Sequence, residues 1–160
     1  MLVYQTDVLN EDMTLGGEIM THLKVANSST DADYVVKLID VYPPDEPNNA
    51  YMPNKNIILS NYWQMVRSEI MPARFRTGFD KAVPMVPGQK TDVNVRLQDV
   101  LHTFKKGHRI MIQVQSTAFP LFARNPQKFV ANPYKADESD YVKATETVFN
   151  DSYVDVEVLR

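Results

Sequence analysis

Three histidines, His22, His102 and His108, are the side chains of this 160-residue sequence best suited to proton transfer near neutral pH. A histidine becomes a catalytic base when it faces an activated hydroxyl, and α/β-type serine hydrolases present that hydroxyl on a strained Gly-x-Ser-x-Gly turn. The sequence has no such turn. Its five glycines, at positions 16, 17, 78, 88 and 107, have no serine two residues on. His22 falls on the wet face of an alternating segment, and His102 and His108 flank a Lys105-Lys106-Gly107 turn. The reading is of a chain with no catalytic residue of its own. Metal chemistry lacks a motif as well. There is no cysteine and no His-Glu-x-x-His, and Asp31-Ala32-Asp33 lacks the third oxygen ligand and terminal Glu of a calcium loop. No metal and no cofactor is expected. Asp31 reads as part of a turn cap at 28–31, followed by one buried or paired Asp33. Lys105, Lys106, His108 and Arg109 form a basic cluster that reads as a solvated hairpin tip.

The elements that would carry these residues are strands. Apolar positions alternate with period two and are rich in Val, Ile, Tyr and Phe. Residues 2–6, 19–25, 34–41, 56–67, 68–77, 91–97, 108–116, 145–150 and 152–159 read as eight to nine strands. The segment 34–41 is apolar on both faces apart from Lys37 and Asp40, so it is expected at the centre of a sheet. Val154, Val156 and Val158 alternate against Asp155 and Glu157. The fold class is all-β, a jelly-roll β-sandwich of two antiparallel sheets. Residues 124–141, with two Asn-Pro pairs, read as a long surface excursion ending in a short helical turn.

Composition narrows the partners. The net charge of −3 and pI near 5.6 argue against nucleic acid, which requires a basic face. No apolar run approaches the roughly 20 residues of a membrane helix, so no membrane partner is expected. At 160 residues one domain, 1–160, is the default. The chain opens inside a strand at Leu2-Val3-Tyr4, which reads as a piece of a larger protein.

The aromatic loop after strand 108–116 is the strongest docking candidate. Phe119, Pro120, Phe122, Arg124 and Asn125 emerge at an end of the sandwich, with apolar anchors beside a hydrogen-bonding arginine. Asp33, Asp40, Arg74 and Arg76 are the candidate structural ion pairs, with the arginines expected to alternate toward one sheet face and reach Asp33 or Asp40. Tyr62 and Trp63 are the aromatics a free-standing carbohydrate- or ligand-binding module would use. Neighbouring strand residues point to opposite faces, so the two do not form one stacking platform.

Several stretches in order along the chain resemble the C-terminal domain of α-amino acid ester hydrolases and glutaryl-7-aminocephalosporanic acid acylases, relatives of cocaine esterase and the X-prolyl dipeptidyl peptidases. They are residues 30–43, Met65-Val66-Arg67, Arg74-Phe75-Arg76, Val86-Pro87-Gly88, residues 102–116, Phe119-Pro120 and Arg124-Asn125-Pro126-Gln127. The resemblance implies a galactose-binding-domain-like jelly roll that packs on an α/β-hydrolase catalytic domain of the same polypeptide. A Ser-His-Asp triad in that missing domain would perform acyl transfer on esters or amides. One departure stands out: Ala123 occupies the place where the family tends to put an acidic residue before the Arg-Asn pair. A homo-oligomer through the same apolar face is the other partner considered. Relatives are often exported, and any signal would lie outside this sequence, which leaves the compartment open.

Overall fold

The computed structural model describes residues 1–159. Eight strands run in the order β1 (Leu2–Gln5), β2 (Met13–Asn27), β3 (Asp33–Val41), β4 (Trp63–Pro72), β5 (Thr91–Phe104), β6 (Arg109–Gln115), β7 (Glu146–Val148) and β8 (Tyr153–Leu159). Their alternating apolar positions need a second apolar surface, and two sheets supply it to each other. Sheet A has the order β1-β6-β3-β4; in sheet B, β5 lies on one side of β2, and β7 and β8 share its other side. Every pairing is antiparallel. The result is an all-β sandwich of two antiparallel sheets.

The core lies between the sheets. Ile19, Leu23 and Val25 of β2 and Val93, Val95 and Leu97 of β5 meet Tyr34, Val36 and Leu38 of β3. β3 holds the centre of sheet A between β6 and β4, as its doubly apolar pattern requires. Both of its faces are covered within this chain: Tyr34 is fully buried on one side, and Val35 and Ile39 are buried on the other. The second dry face of β3 therefore needs no partner domain. At Gly17, φ is +83° and the β2–β5 register shifts, so glycine serves where a bulge demands a left-handed backbone.

Three boundaries differ from the sequence pattern. Residues 56–67 and 68–77 were two expected strands, but a single strand, Trp63–Pro72, spans their junction. Residues 56–62 are instead loop, held in part where the side chains of Asn48 and Asn54 accept from backbone N–H groups of Leu59 and Asn56. After Pro72 the chain tightens into a 3-10 turn, Ala73–Phe75. Arg74 and Arg76 thus leave a turn rather than alternating along a strand. β5 continues past 97 to Phe104, which puts His102 inside a strand rather than beside a turn. Among residues 124–141, two short 3-10 turns, Pro133–Lys135 and Glu138–Asp140, interrupt an otherwise irregular excursion. No helix among the described residues is long and apolar enough to cross a membrane.

Candidate docking face and the charge network beneath it

The loop that follows β6 projects apolar side chains outward. Phe119 is 64% exposed, Leu121 80% and Phe122 41%, and Pro120 lies between them on the surface. Thr117 Oγ1 accepts from the Phe119 N–H, and Ala118 O accepts from the Phe122 N–H, so the loop closes on itself. Its base is tied more firmly. Asn125 Nδ2 donates to Asp33 Oδ1 at 2.8 Å and to Asp31 Oδ2 at 3.2 Å, while Asn125 Oδ1 accepts from the Gln127 N–H. Asn125 is therefore an anchor facing inward. Arg124, its neighbour, stays exposed and lies 5.1 Å from the centre of the Tyr141 ring.

Beneath the loop sits one buried cation among several carboxyls. Arg74 is 4% exposed and donates through Nε and Nη2 to Asp31 Oδ2, at 2.9 and 2.5 Å, and through Nη1 to the Val130 carbonyl. The Phe129 ring lies 4.8 Å from its guanidinium carbon. The carboxylate partner of Arg74 is thus Asp31, which the sequence placed in a turn cap, and not Asp33 or Asp40. Asp31 ends the tight β2–β3 connection, where the Asn27 amide donates to its carbonyl, and the connection delivers its carboxylate inward. Arg76 pairs with no acid among the described residues: it donates to the carbonyls of Ala73, Val83 and Pro84 and so clips the 73–84 segment together.

Burial pushes the Asp33 carboxyl up to about 6, with the Asp31 charge adding to the rise and the Asn125 amide and Arg74 opposing it. Glu146, at the start of β7, is pushed up to about 7, first by burial and then by Asp33. The Tyr34 hydroxyl is raised for the same reason and has no hydrogen-bond partner. One side of the network is left short of hydrogen bonds as well, since Asp31 Oδ1 has none.

Asp40 joins the two sheets. It is 2% exposed, and its two oxygens meet His108 Nδ1 at 2.7 Å and His102 Nε2 at 2.9 Å. His102 comes from β5 in sheet B, whereas Asp40 belongs to β3 in sheet A. Both histidines bond to one buried acid, and His108 Nε2 also lies 3.6 Å from Glu46 Oε2. His22 lies at the surface between Asn94 and Asp155, stacked on Tyr153. No histidine contact involves a serine or threonine hydroxyl among the described residues, and no group of three or more histidines and acids there is arranged to hold a metal ion. Lys105 and Lys106 are exposed at the turn, as expected, with Lys105 paired to Asp12, but His108 is buried and the turn joins two sheets rather than closing a hairpin. Tyr62 lies edge-on to Tyr42, and Trp63 opens β4.

Sequence reasoning missed the Asp40 pair of histidines and the role of Asp31. A signal for the first was present: an acid inside a strand dry on both faces must find a partner. Nothing in the spacing reveals which histidines supply it.

The class the fold defines is a two-sheet β-sandwich domain with buried polar clusters and an exposed apolar loop, with no histidine set against a hydroxyl nucleophile among the described residues. The chain belongs to the family of X-Pro dipeptidyl-peptidase C-terminal non-catalytic domains, whose model matches residues 1–152. It is similar to an aminopeptidase from a marine sediment archaeon, Thaumarchaeota archaeon, with 38% identity, a TM-score of 0.91, and coverage of 99% of this chain and 26% of that one. An α-amino acid ester hydrolase gives 36% identity and a TM-score of 0.90, with 99% of this chain covering 25% of that one. Cocaine esterase of Rhodococcus sp. (strain MB1 Bresler) is 29% identical over 125 residues, which is 78% of this chain and 19% of the esterase. The chain spans about a quarter of the length of the structural relatives and a fifth of the esterase.

Proposed function

We infer that the chain is the accessory domain of a serine hydrolase that performs acyl transfer on esters or amides, docked on an α/β-hydrolase domain of the same polypeptide through the Phe119–Arg124 loop. The observation that carries this reading is the union of an exposed apolar loop with a rigid base. Phe119, Leu121 and Phe122 face solvent while Asn125, at the end of the same loop, is bonded to two buried carboxylates. Apolar anchors on a preorganised loop lose little conformational entropy on docking. Arg124 stands at the rim with donors free of any acid among the described contacts, ready to meet carbonyl or carboxylate groups across the interface. Ala123 offers no charge there, so the residue before Arg124 supplies it no acidic partner. The family supports the reading with its non-catalytic assignment, and the relatives named above are hydrolases three-quarters of whose length lies outside the matched region.

The test begins with the reading frame that contains this chain. The reading requires Gly-x-Ser-x-Gly, followed by an Asp and a His, upstream in the same frame. The 160-residue chain alone should turn over no ester or aminoacyl amide. In the longer protein, Phe119→Asp with Phe122→Asp should release the domain, seen as a separate unfolding transition and faster proteolysis between domains. A frame that encodes no hydrolase, or esterase activity that follows the isolated chain, overturns the reading.

A further inference from the structure

Two edge strands of the sandwich turn their core-facing side chains to solvent. In sheet B the register sets Val154, Val156 and Val158 of β8 opposite Thr21, Ile19 and Leu15 of β2. Residues directly opposite in an antiparallel pair share a face, so the valines point the same way as three residues that are each 1% exposed. Val156 and Val158 are nevertheless 42% and 44% exposed. Sheet A repeats the pattern at β1. Leu2 and Tyr4 pair with Val114 and Ile112, both part of the core or packed on it, yet they are 42% and 49% exposed.

β1 is the outermost strand of sheet A, and β8 lies on the side of sheet B away from β5. Between these edges the sheets leave a cleft of about 310 Å³ that reaches Leu23, Ile112 and Val114 of the core, with Tyr4 and Tyr153 among its walls. No charged side chain lines it. Thr21, also in its lining, has a buried hydroxyl with no hydrogen-bond partner among the described residues. One flank of the sandwich is therefore unsealed, apolar and short of one hydrogen bond. Contiguous apolar surface of this kind marks a site of association.

We propose that the open flank between β1 and β8 seats a convex apolar segment of the hydrolase domain, which enters between the two sheets and completes their core. This rests on the docking reading above but uses a different face from the Phe119 loop. Two observations select the occupant. Relatives of this fold are about four times as long as this chain, so a large body of polypeptide accompanies it in them. The flank is concave, and two copies meeting isologously would set cleft against cleft and fill neither. The absence of charge in the lining fits an aliphatic or aromatic wedge, with one polar backbone group of the wedge reaching Thr21.

The experiment compares the 160-residue chain with the complete protein that carries it. Hydrogen exchange at the β1 and β8 amides should be about tenfold slower or more in the complete protein than in the chain. Val156→Asp should lower the melting temperature of the chain by only a few degrees, because the site is already 42% exposed there, and should abolish the extra protection in the complete protein. Phe119→Asp separates the two readings. If Phe119→Asp loosens the domains while Val156→Asp does not, and β8 exchanges equally fast in both proteins, the open-flank inference is overturned and the loop reading stands. If neither variant loosens the domains, the docking reading fails with it. Protection of β8 that grows with the concentration of the chain alone would assign the flank to a second copy and overturn the proposal.

Discussion

Asn125 donates to Asp33 Oδ1 at 2.8 Å, and this contact ties the outward loop to the central strand of sheet A. The same amide reaches Asp31, which Arg74 holds from the far side. Loop, β2–β3 connection and 3-10 turn are thereby fixed to one another through the buried Asp31, Asp33 and Arg74 and the partly buried Asn125. That fixture sets the base from which Phe119 and Phe122 project.

Removing the amide should therefore cost stability and loop order together. Asn125→Ala leaves Asp33 Oδ1 without its donor, and the expected loss is about 1–3 kcal/mol. Urea unfolding of the chain measures the loss, and exchange of the amides at 117–127 should accelerate. Asn125→Gln, which keeps the chemistry but not the reach, should recover only part of either.

Arg74 is a stricter case. Arg74→Met strands Asp31, which is 0% exposed, without its cation, and the expected cost is about 3–5 kcal/mol. The double change Arg74→Met with Asp31→Leu should cost less than Arg74→Met alone, since no charge is then left buried. A double-mutant cycle by chemical denaturation checks the sign of that difference.

The two raised carboxyls give the domain a pH response. Asp33 and Glu146 titrate at about 6 and about 7 in the folded chain, above the ordinary carboxylate range they have when unfolded. The folded state holds these protons more tightly, so their contribution is full below about pH 4 and is lost as pH rises through 6 to 7. The loss is roughly 3 kcal/mol for each group as an upper bound. Thermal unfolding between pH 5 and 8 should show falling stability that levels off near pH 8. Asp33→Asn with Glu146→Gln should flatten that slope, and a slope unchanged in the double variant would refute the assignment.

The histidines should divide sharply. Asp40→Ala leaves His102 and His108 without their common partner across the two sheets, and should cost about 3 kcal/mol. His22→Gln, at the surface, should change stability by less than about 0.5 kcal/mol. Paired unfolding curves at one pH suffice.

How much of this was legible beforehand depends on whether the determining contact was local. The alternation in 19–25, the double-faced apolar run of β3 and the turn at Lys106-Gly107 are properties of neighbouring residues, and they mark the strands beside them. Side-chain partnership is a property of distance in space. Arg74 and Asp31 are brought together by a turn after Pro72 and a connection before β3, and no periodicity links them. The valines of β8 show the converse failure. Their alternation correctly marks one face as core-directed, but alternation says nothing about whether a strand of the other sheet lies above it. The exposure of Phe119 and Phe122 is legible because their place after a strand is local; the inward turn of Asn125 is not, because the acids that bind it come from far earlier in the chain.

β2 has a consequence for the order in which the domain can be made. It pairs with β5 along one side and with β7 and β8 along the other, and Thr14 meets Leu159 across nearly the whole described chain. Pairings this distant in sequence carry a large loop-closure penalty before any contact is gained, and they fold slowly. During synthesis β2 emerges before every strand it pairs with, and one of its sides waits until Tyr153–Leu159 has followed. Its apolar edge is then an invitation to neighbouring nascent chains, and a truncation before Tyr153 would make that exposure permanent.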